Sequence, residues 1–245
     1  MAAEGKTMDA LSQFELTPIV AGFSNSNLYM LVAGAAISAL MLIGMQPRAR
    51  VPGRLQSLAE VSYEFIYGLV RDQIGHEGKR FFPFVFTLFM FILFGNMLGM
   101  LPYAFTFTSH IAVTFTLALV VFILVTAVAL AIHGMHFFSY FFPEGAPKAL
   151  APLIIPIEII SYLSRVVSLS VRLFANMVAG HVMLKVFATF VVMMGGAGAL
   201  GLLGALAPLA INVALVGFEF LVAFLQAYVF AVLTCIYLHD AVHLH

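Results

Sequence analysis

Charge is what this chain has least of: Asp, Glu, Lys and Arg make up 9% of its 245 residues, while 63% are apolar. A soluble domain carries about 25% charged residues, so this chain has too little polar surface to face water on every side. Its eleven bases and eleven acids cancel at neutral pH, and without a positive excess there is no electrostatic footprint for nucleic acid. Cysteine is nearly absent too. Cys235 stands alone, which excludes an internal disulfide and leaves no Cys-x-x-Cys or Cys/His cluster for a structural metal. Internal repeats and low-complexity tracts are missing. The N-terminal stretch sets Glu4, Asp9 and Glu15 against Lys6, so it lacks the basic start of a cleaved signal and the arginines of a transit peptide. What remains is a membrane protein whose few charges need an explanation.

The hydrophobic runs predict an all-α, polytopic fold in one membrane domain, with about five membrane-crossing helices and one amphipathic interfacial helix. Residues 1–27 form an outer N-terminal segment. Residues 28–46 suffice to cross a hydrocarbon core of about 30 Å, and Pro47, Arg48, Arg50, Pro52 and Gly53 end the run. Over 55–76, Leu55, Leu58, Val61, Phe65, Leu69 and Ile74 alternate with Glu60, Glu64, Arg71 and Asp72, the pattern of a helix lying on the membrane surface or packed on a partner. Ser57 and Glu60 have the spacing of a capping box. From Phe81 to Pro143 there is no Asp, Glu, Lys or Arg, and Pro102 with the polar run Thr106 to His110 divides this stretch into spans at 81–102 and 111–133. Residues 153–194 and 200–240, separated by the glycine-rich 195–201, would each be about 60 Å long as helices, twice the hydrocarbon thickness. Pro156 and Pro208 lie near their starts, which favours two long tilted helices in a hairpin over four short spans. Arg48, Arg50, Arg54, Arg71, Lys79 and Arg80, with Lys148, fall on one side of such a layout and only Lys6 on the other. The N-terminus is therefore expected outside and the C-terminus in the cytoplasm.

Within the first long helix, Glu158, Arg165 and Arg172 follow at intervals of seven residues, so they drift only about 20° per step and form a stripe with Ser161, Ser168 and Asn176. A charge at the bilayer centre costs at least roughly 2.5–3.5 kcal/mol, which makes each an expected working part. The structural alternatives are a salt bridge for Arg172, snorkelling for Arg165 or Lys185, and an interfacial place for Glu158. His181 lies nine residues beyond Arg172, on the opposite face. In the second long helix Asn212, Glu219 and Gln226 again step by seven, toward Asp240. Counted from the glycine-rich turn, His181 and Glu219 lie at similar depth. An imidazole facing a carboxylate suits proton exchange near neutral pH; a structural pair is the alternative. His239 and His243 only superficially resemble a zinc-protease motif, with Asp240 in the place of the general base, and read as a terminal tail. His133 and His136 sit at a span end. No cofactor and no metal are expected; a haem anchor would need axial histidines at one depth, and these lie mostly at span ends.

The segment Ser168-Leu-Ser-Val-Arg-Leu-Phe-Ala-Asn-Met-Val-Ala-Gly-His181 resembles the signature of the a subunit of F-type ATP synthases, an arginine followed by Leu-Phe-x-Asn-x-x-Ala-Gly. Leu225 to Thr234, with Tyr237-Leu238, is similar to that family's last helix, and Gly95 to Tyr103 to its Asn-Leu-Leu-Gly-Leu-Leu-Pro segment. The resemblance covers about residues 20 to 240. It implies a proton-translocating stator subunit, not catalytic on its own, beside a ring of c subunits and held by b-type peripheral stalk subunits, in the lipid bilayer of a bacterial inner membrane rather than a mitochondrial one. It implies two half-channels for protons, with Arg172 facing the ring carboxylate, Asn176 and Gln226 as its polar neighbours, and His181 and Glu219 in the outer half-channel. Glu158 is the candidate inner mouth; Ser168, Arg165 and Asn212 are secondary candidates. Some bacterial members carry the acid and the histidine exchanged, whereas this arrangement is like that of mitochondrial and alphaproteobacterial members.

Overall fold

The computed structural model describes residues 14–20, 23–46, 52–101, 104–141, 150–196 and 198–243. Lys6, Pro47, Arg48, Arg50, Pro102 and Lys148, on which parts of the expected layout rest, lie outside the described residues. Six α-helices follow one another: α1 (Asn25–Gly44), α2 (Arg54–Ile74), α3 (Phe82–Gly99), α4 (Ile111–His133), α5 (Ala151–Gly195) and α6 (Ala199–Val242). A two-stranded ribbon pairs Pro18–Val20 with Phe23–Ser24 ahead of α1. All the helices except α2 are long and apolar enough to cross a membrane, as the hydrophobic runs require.

The apolar pattern decides what each helix covers. α1 is apolar all round and buries only Ser26, Ala33 and Gly44, so it stands at the edge with most of its surface outward. α2 is amphipathic and lays Ala59, Ile66, Leu69, Val70 and Ile74 on the bundle. Its start differs from the capping-box expectation. Gly53 is the N-cap, with no side-chain cap bond, and Ser57 already lies in the first turn, its N–H donating to Gly53 O at 2.8 Å. The Glu60 carboxylate accepts from Gln56 Nε2 at 2.8 Å rather than from the Ser57 N–H.

The core runs from α2 through α3 and α4 to the hairpin of α5 and α6, with Phe89, Ile92, Leu173, Met177, Phe230 and Leu238 fully buried. Hydrophobic burial does little to hold helices together in lipid, and packing and interhelical hydrogen bonds take over. Such bonds join several helix pairs. Asn96 Nδ2 on α3 donates to Ala223 O on α6 at 3.1 Å. Thr114 on α4 meets Ser170 on α5 at 3.2 Å, and Thr126 meets Tyr162 at 2.8 Å. His133 Nε2 lies 3.1 Å from Ala241 O.

α5 and α6, of 45 and 44 residues, stay continuous through Pro156 and Pro208; at 1.5 Å per residue each is about 66 Å long. The chain reverses around Gly198, whose φ of +86° suits a residue without a Cβ. The two helices run antiparallel: Met194 reaches Gly204, Gly180 lies against Glu219, and Arg165 reaches Asp240. This register puts Gln226 level with Asn176 and within about one turn of Arg172.

Candidate functional site

One face of α5 is covered and the other is open. Tyr162, Val166, Leu169, Leu173 and Met177, at three- and four-residue steps, are buried in the bundle. Val167, Ser168, Val171 and Arg172 are exposed. Arg172 lies near the midpoint of the helix. Its Nη2 donates to Ser168 Oγ over a long 3.4 Å, and among the described residues no carboxylate comes within ion-pair distance of it. A membrane helix thus presents a cation outward at mid-length, where an ionisable side chain ordinarily faces a partner or a wet cavity.

The stripe expected to hold Arg165 and Arg172 together splits. Arg165 Nη1 donates to Asp240 Oδ2 at 3.2 Å, and its guanidinium lies 4.9 Å from the Tyr237 ring centroid and 5.6 Å from that of Tyr162. The cause is the hairpin register, which sets the end of α6 beside Arg165 but offers no acid opposite Arg172. Spaces lined by Tyr162, Arg165 and Tyr237 measure about 10 Å³ each, room for about one water. Glu158, one turn before Tyr162, is half-buried, as are Asn176 and Gln226. Asp240 is occupied by Arg165, and His239 and His243 stack with ring centroids 4.7 Å apart, away from any protease-like arrangement.

Toward the turn of the hairpin the surroundings become polar and roomy. A cavity of about 960 Å³ is lined by His181, Lys185 and Asn212 from the hairpin and by Glu15, Asn25 and Tyr29 from the start of the chain. His181 Nε2 lies 3.7 Å from Glu219 Oε1, too long for a hydrogen bond but within reach of an ion pair. Glu219 is 3% exposed, and neither of its carboxyl oxygens has a hydrogen-bond partner among the described residues. Gly180 makes room for it, since a Cβ there would come within 2.6 Å of Oε1. The sequence alone singled out His181, Glu219, Asn212 and Arg165 but missed three of the contacts in the hairpin. These are the contact of Gly180 with the acid, the Arg165–Asp240 pair, and Thr106, whose hydroxyl lies 3.0 Å from His181 Nε2. Only the short polar run from Thr106 to His110 hinted at the last.

The family model described as ATP synthase A chain matches residues 27–239. The chain belongs to that family. Its similarity to curated members extends over whole chains. It is 66% identical to ATP synthase subunit a of Granulibacter bethesdensis, with all of both chains covered. To the protein of the same name from Gluconacetobacter diazotrophicus it is 58% identical, over 98% of this chain and 99% of that one. For the Rhodospirillum rubrum protein the identity is 52%, over 96% and 98%. Membership of the ATP synthase A-chain family makes this chain a multi-pass membrane subunit.

Proposed function

We propose that this chain is the proton-translocating stator subunit of an F-type ATP synthase in the bacterial inner membrane, and that Arg172 faces the carboxylates of a rotating c-subunit ring. What supports this is the outward, mid-helix guanidinium, which has no acid in reach among the described residues. A partner carboxylate supplied by another subunit completes it. The exposed Val167, Ser168 and Val171 around it give the ring a surface with little bulk.

A proton enters from the outer side through the cavity beside His181 and Glu219, and passes to a ring carboxylate. Once neutral, that group turns into lipid at a small fraction of the cost of a charged one. After nearly a full turn it meets the inner half-channel, for which Glu158 is the candidate mouth, about 21 Å from Arg172 along the helix axis. The guanidinium stays protonated, so it attracts the arriving carboxylate and favours loss of its proton. As a fixed cation it also bars direct leakage between the half-channels. Asn176 and Gln226, level with each other, serve as its polar neighbours. Arg54, Arg71, Lys79 and Arg80 gather around α2 and the start of α3, which favours a cytoplasmic place for that loop and for the C-terminus, with the N-terminus outside. The b-type stalk subunits hold the stator from the same side.

The test is Arg172→Ala in the assembled complex in inverted membrane vesicles. ATP-driven proton pumping falls to background while the subunit still co-purifies with its ring. Normal pumping by the variant contradicts the assignment.

A further inference from the structure

Thr106 lies outside the helices, just ahead of a short 3-10 turn, Phe107–Ser109, yet it is 4% exposed and touches His181 directly. Its Oγ1 is 3.0 Å from His181 Nε2 and 3.2 Å from Gly99 O. The backbone around it is pinned: Ser109 Oγ donates to Thr106 O at 2.5 Å, and Thr108 Oγ1 donates to Asn96 Oδ1 at 2.8 Å. Asn96 is in turn bound to α6 at Ala223, one turn from Glu219. Gly99 is a further sign of close fitting, because a Cβ there would collide with the Thr106 hydroxyl.

A hydroxyl has one hydrogen to give and two lone pairs to receive. With Gly99 O on one side and Nε2 on the other, the Thr106 hydroxyl fits both forms of the ring nitrogen. When Nε2 carries a proton, the oxygen accepts it and donates its own hydrogen to Gly99 O. When Nε2 is bare, the hydroxyl turns and donates to it. No heavy atom moves in either case. Resting on the proton-path reading of His181, we propose that Thr106 is a positioning residue, which holds the His181 ring toward Glu219 in both protonation states. Around that ring the other titratable groups are Glu219 from α6, at 3.7 Å, and Glu15, Tyr29 and Lys185 on the walls of the same cavity. Phe14 packs edge-on against the ring, with centroids 6.1 Å apart, and offers no hydrogen bond, so the hydroxyl is the orienting group on this side.

The experiment compares Thr106→Ser, Thr106→Val, His181→Ala and the Thr106→Val/His181→Ala double variant in the assembled complex, reading ATP-driven proton pumping across a range of pH. Thr106→Ser keeps the hydroxyl and should pump like the unaltered protein. Thr106→Val keeps the shape and should lose about 2- to 10-fold, the worth of one hydrogen bond, with a displaced pH profile. In the His181→Ala background it should add nothing. Where the valine variant does not assemble, Thr106→Ala replaces it with the same expectations. Equal pumping and an unchanged pH profile for Thr106→Val overturn the proposal while leaving the outer-path reading intact, provided His181→Ala still impairs pumping. A loss with serine as large as that with valine, or an undiminished effect of valine without His181, overturns it as well. If His181→Ala itself pumps normally, the outer-path reading fails and the positioning role fails with it.

Discussion

Arg165 and Arg172 stand seven residues apart on one helix, yet one is enclosed and the other is presented. Arg165 is held by Asp240 at 3.2 Å and by the faces of Tyr162 and Tyr237, in a region with room for little more than single waters. Among the described residues the one hydrogen bond of Arg172 is a long one to Ser168, and its side chain is exposed. The same residue type therefore stands in two settings, and what separates them is whether α6 supplies an acid at that level. The paired arginine fastens the hairpin, and Arg172 meets no acid among the described residues. Toward the turn a third arrangement appears, a buried acid without a hydrogen-bond partner among the described residues, beside a histidine that opens on a large cavity. Exchange of protons needs that kind of incomplete pairing and access.

Replacing the two arginines in turn breaks the comparison most sharply. Arg172→Ala should reduce coupled proton pumping by at least about 100-fold, the scale of losing a preorganised charge, with assembly preserved. Arg165→Ala should act instead on the hairpin, lowering the amount of assembled complex, and Arg165→Asp with Asp240→Arg should recover what either single change loses. The pair is partly exposed, so its worth is modest, about 1 kcal/mol. Equal pumping defects from Arg165→Ala and Arg172→Ala, both with full assembly, would erase the distinction.

The outer pair gives the next effect in size. Glu219→Gln should slow proton flux by about 10- to 100-fold, at or below the usual worth of an acid–base group. His181→Glu combined with Glu219→His should retain more flux than either single exchange. A double variant no better than the worse single one would show that the two do not act as a pair. Gly180→Ala tests the same place sterically. Its methyl group meets the Glu219 carboxyl, and overpacking of about 1–3 kcal/mol should displace the acid and cut flux by about 10-fold, whereas alanine at the open Gly217 should be tolerated.

Much of the architecture was legible because lipid imposes a simple code. Uninterrupted apolar runs with few charges can only be helices that span, and the absence of any break strong enough to end α5 or α6 left a hairpin as the economical solution. The seven-residue steps exposed the polar stripes for the same reason. They could not tell Arg165 from Arg172, because residues at that spacing share a face and the difference comes from Asp240, 75 positions later. Thr106 was hidden more deeply. A threonine in a loop has no periodicity, and its meaning arises only when the α3–α4 connection folds back onto His181. The capping-box spacing misled at α2 because Gly53 had already begun the helix.

The smallest expected effect concerns His110, in the connection between α3 and α4. It stacks on Phe105, with ring centroids 5.2 Å apart, and burial lowers its pKa below the ordinary 6.5. The unfolded chain then binds this proton more readily than the folded one, so the contribution to stability is present above about pH 6.5 and fades as the pH falls below it. His110→Phe should lessen the loss of thermal stability between pH 7.5 and 5.5; an unchanged acid sensitivity would remove His110 from the account.

If the open face of α5 around Arg172 looks at the carboxylates of another subunit, a disulfide scan of the assembled complex will report it. Cysteines are placed singly at Ser168 on the open face and at Val166 on the covered face, opposite a cysteine one turn from the membrane carboxylate of the ring subunit. The single native thiol, Cys235, is buried and does not compete. Ser168→Cys should cross-link to the ring and stop ATP-driven pumping, reversibly on reduction, while Val166→Cys should not. Cross-linking from Val166→Cys in preference to Ser168→Cys would contradict it.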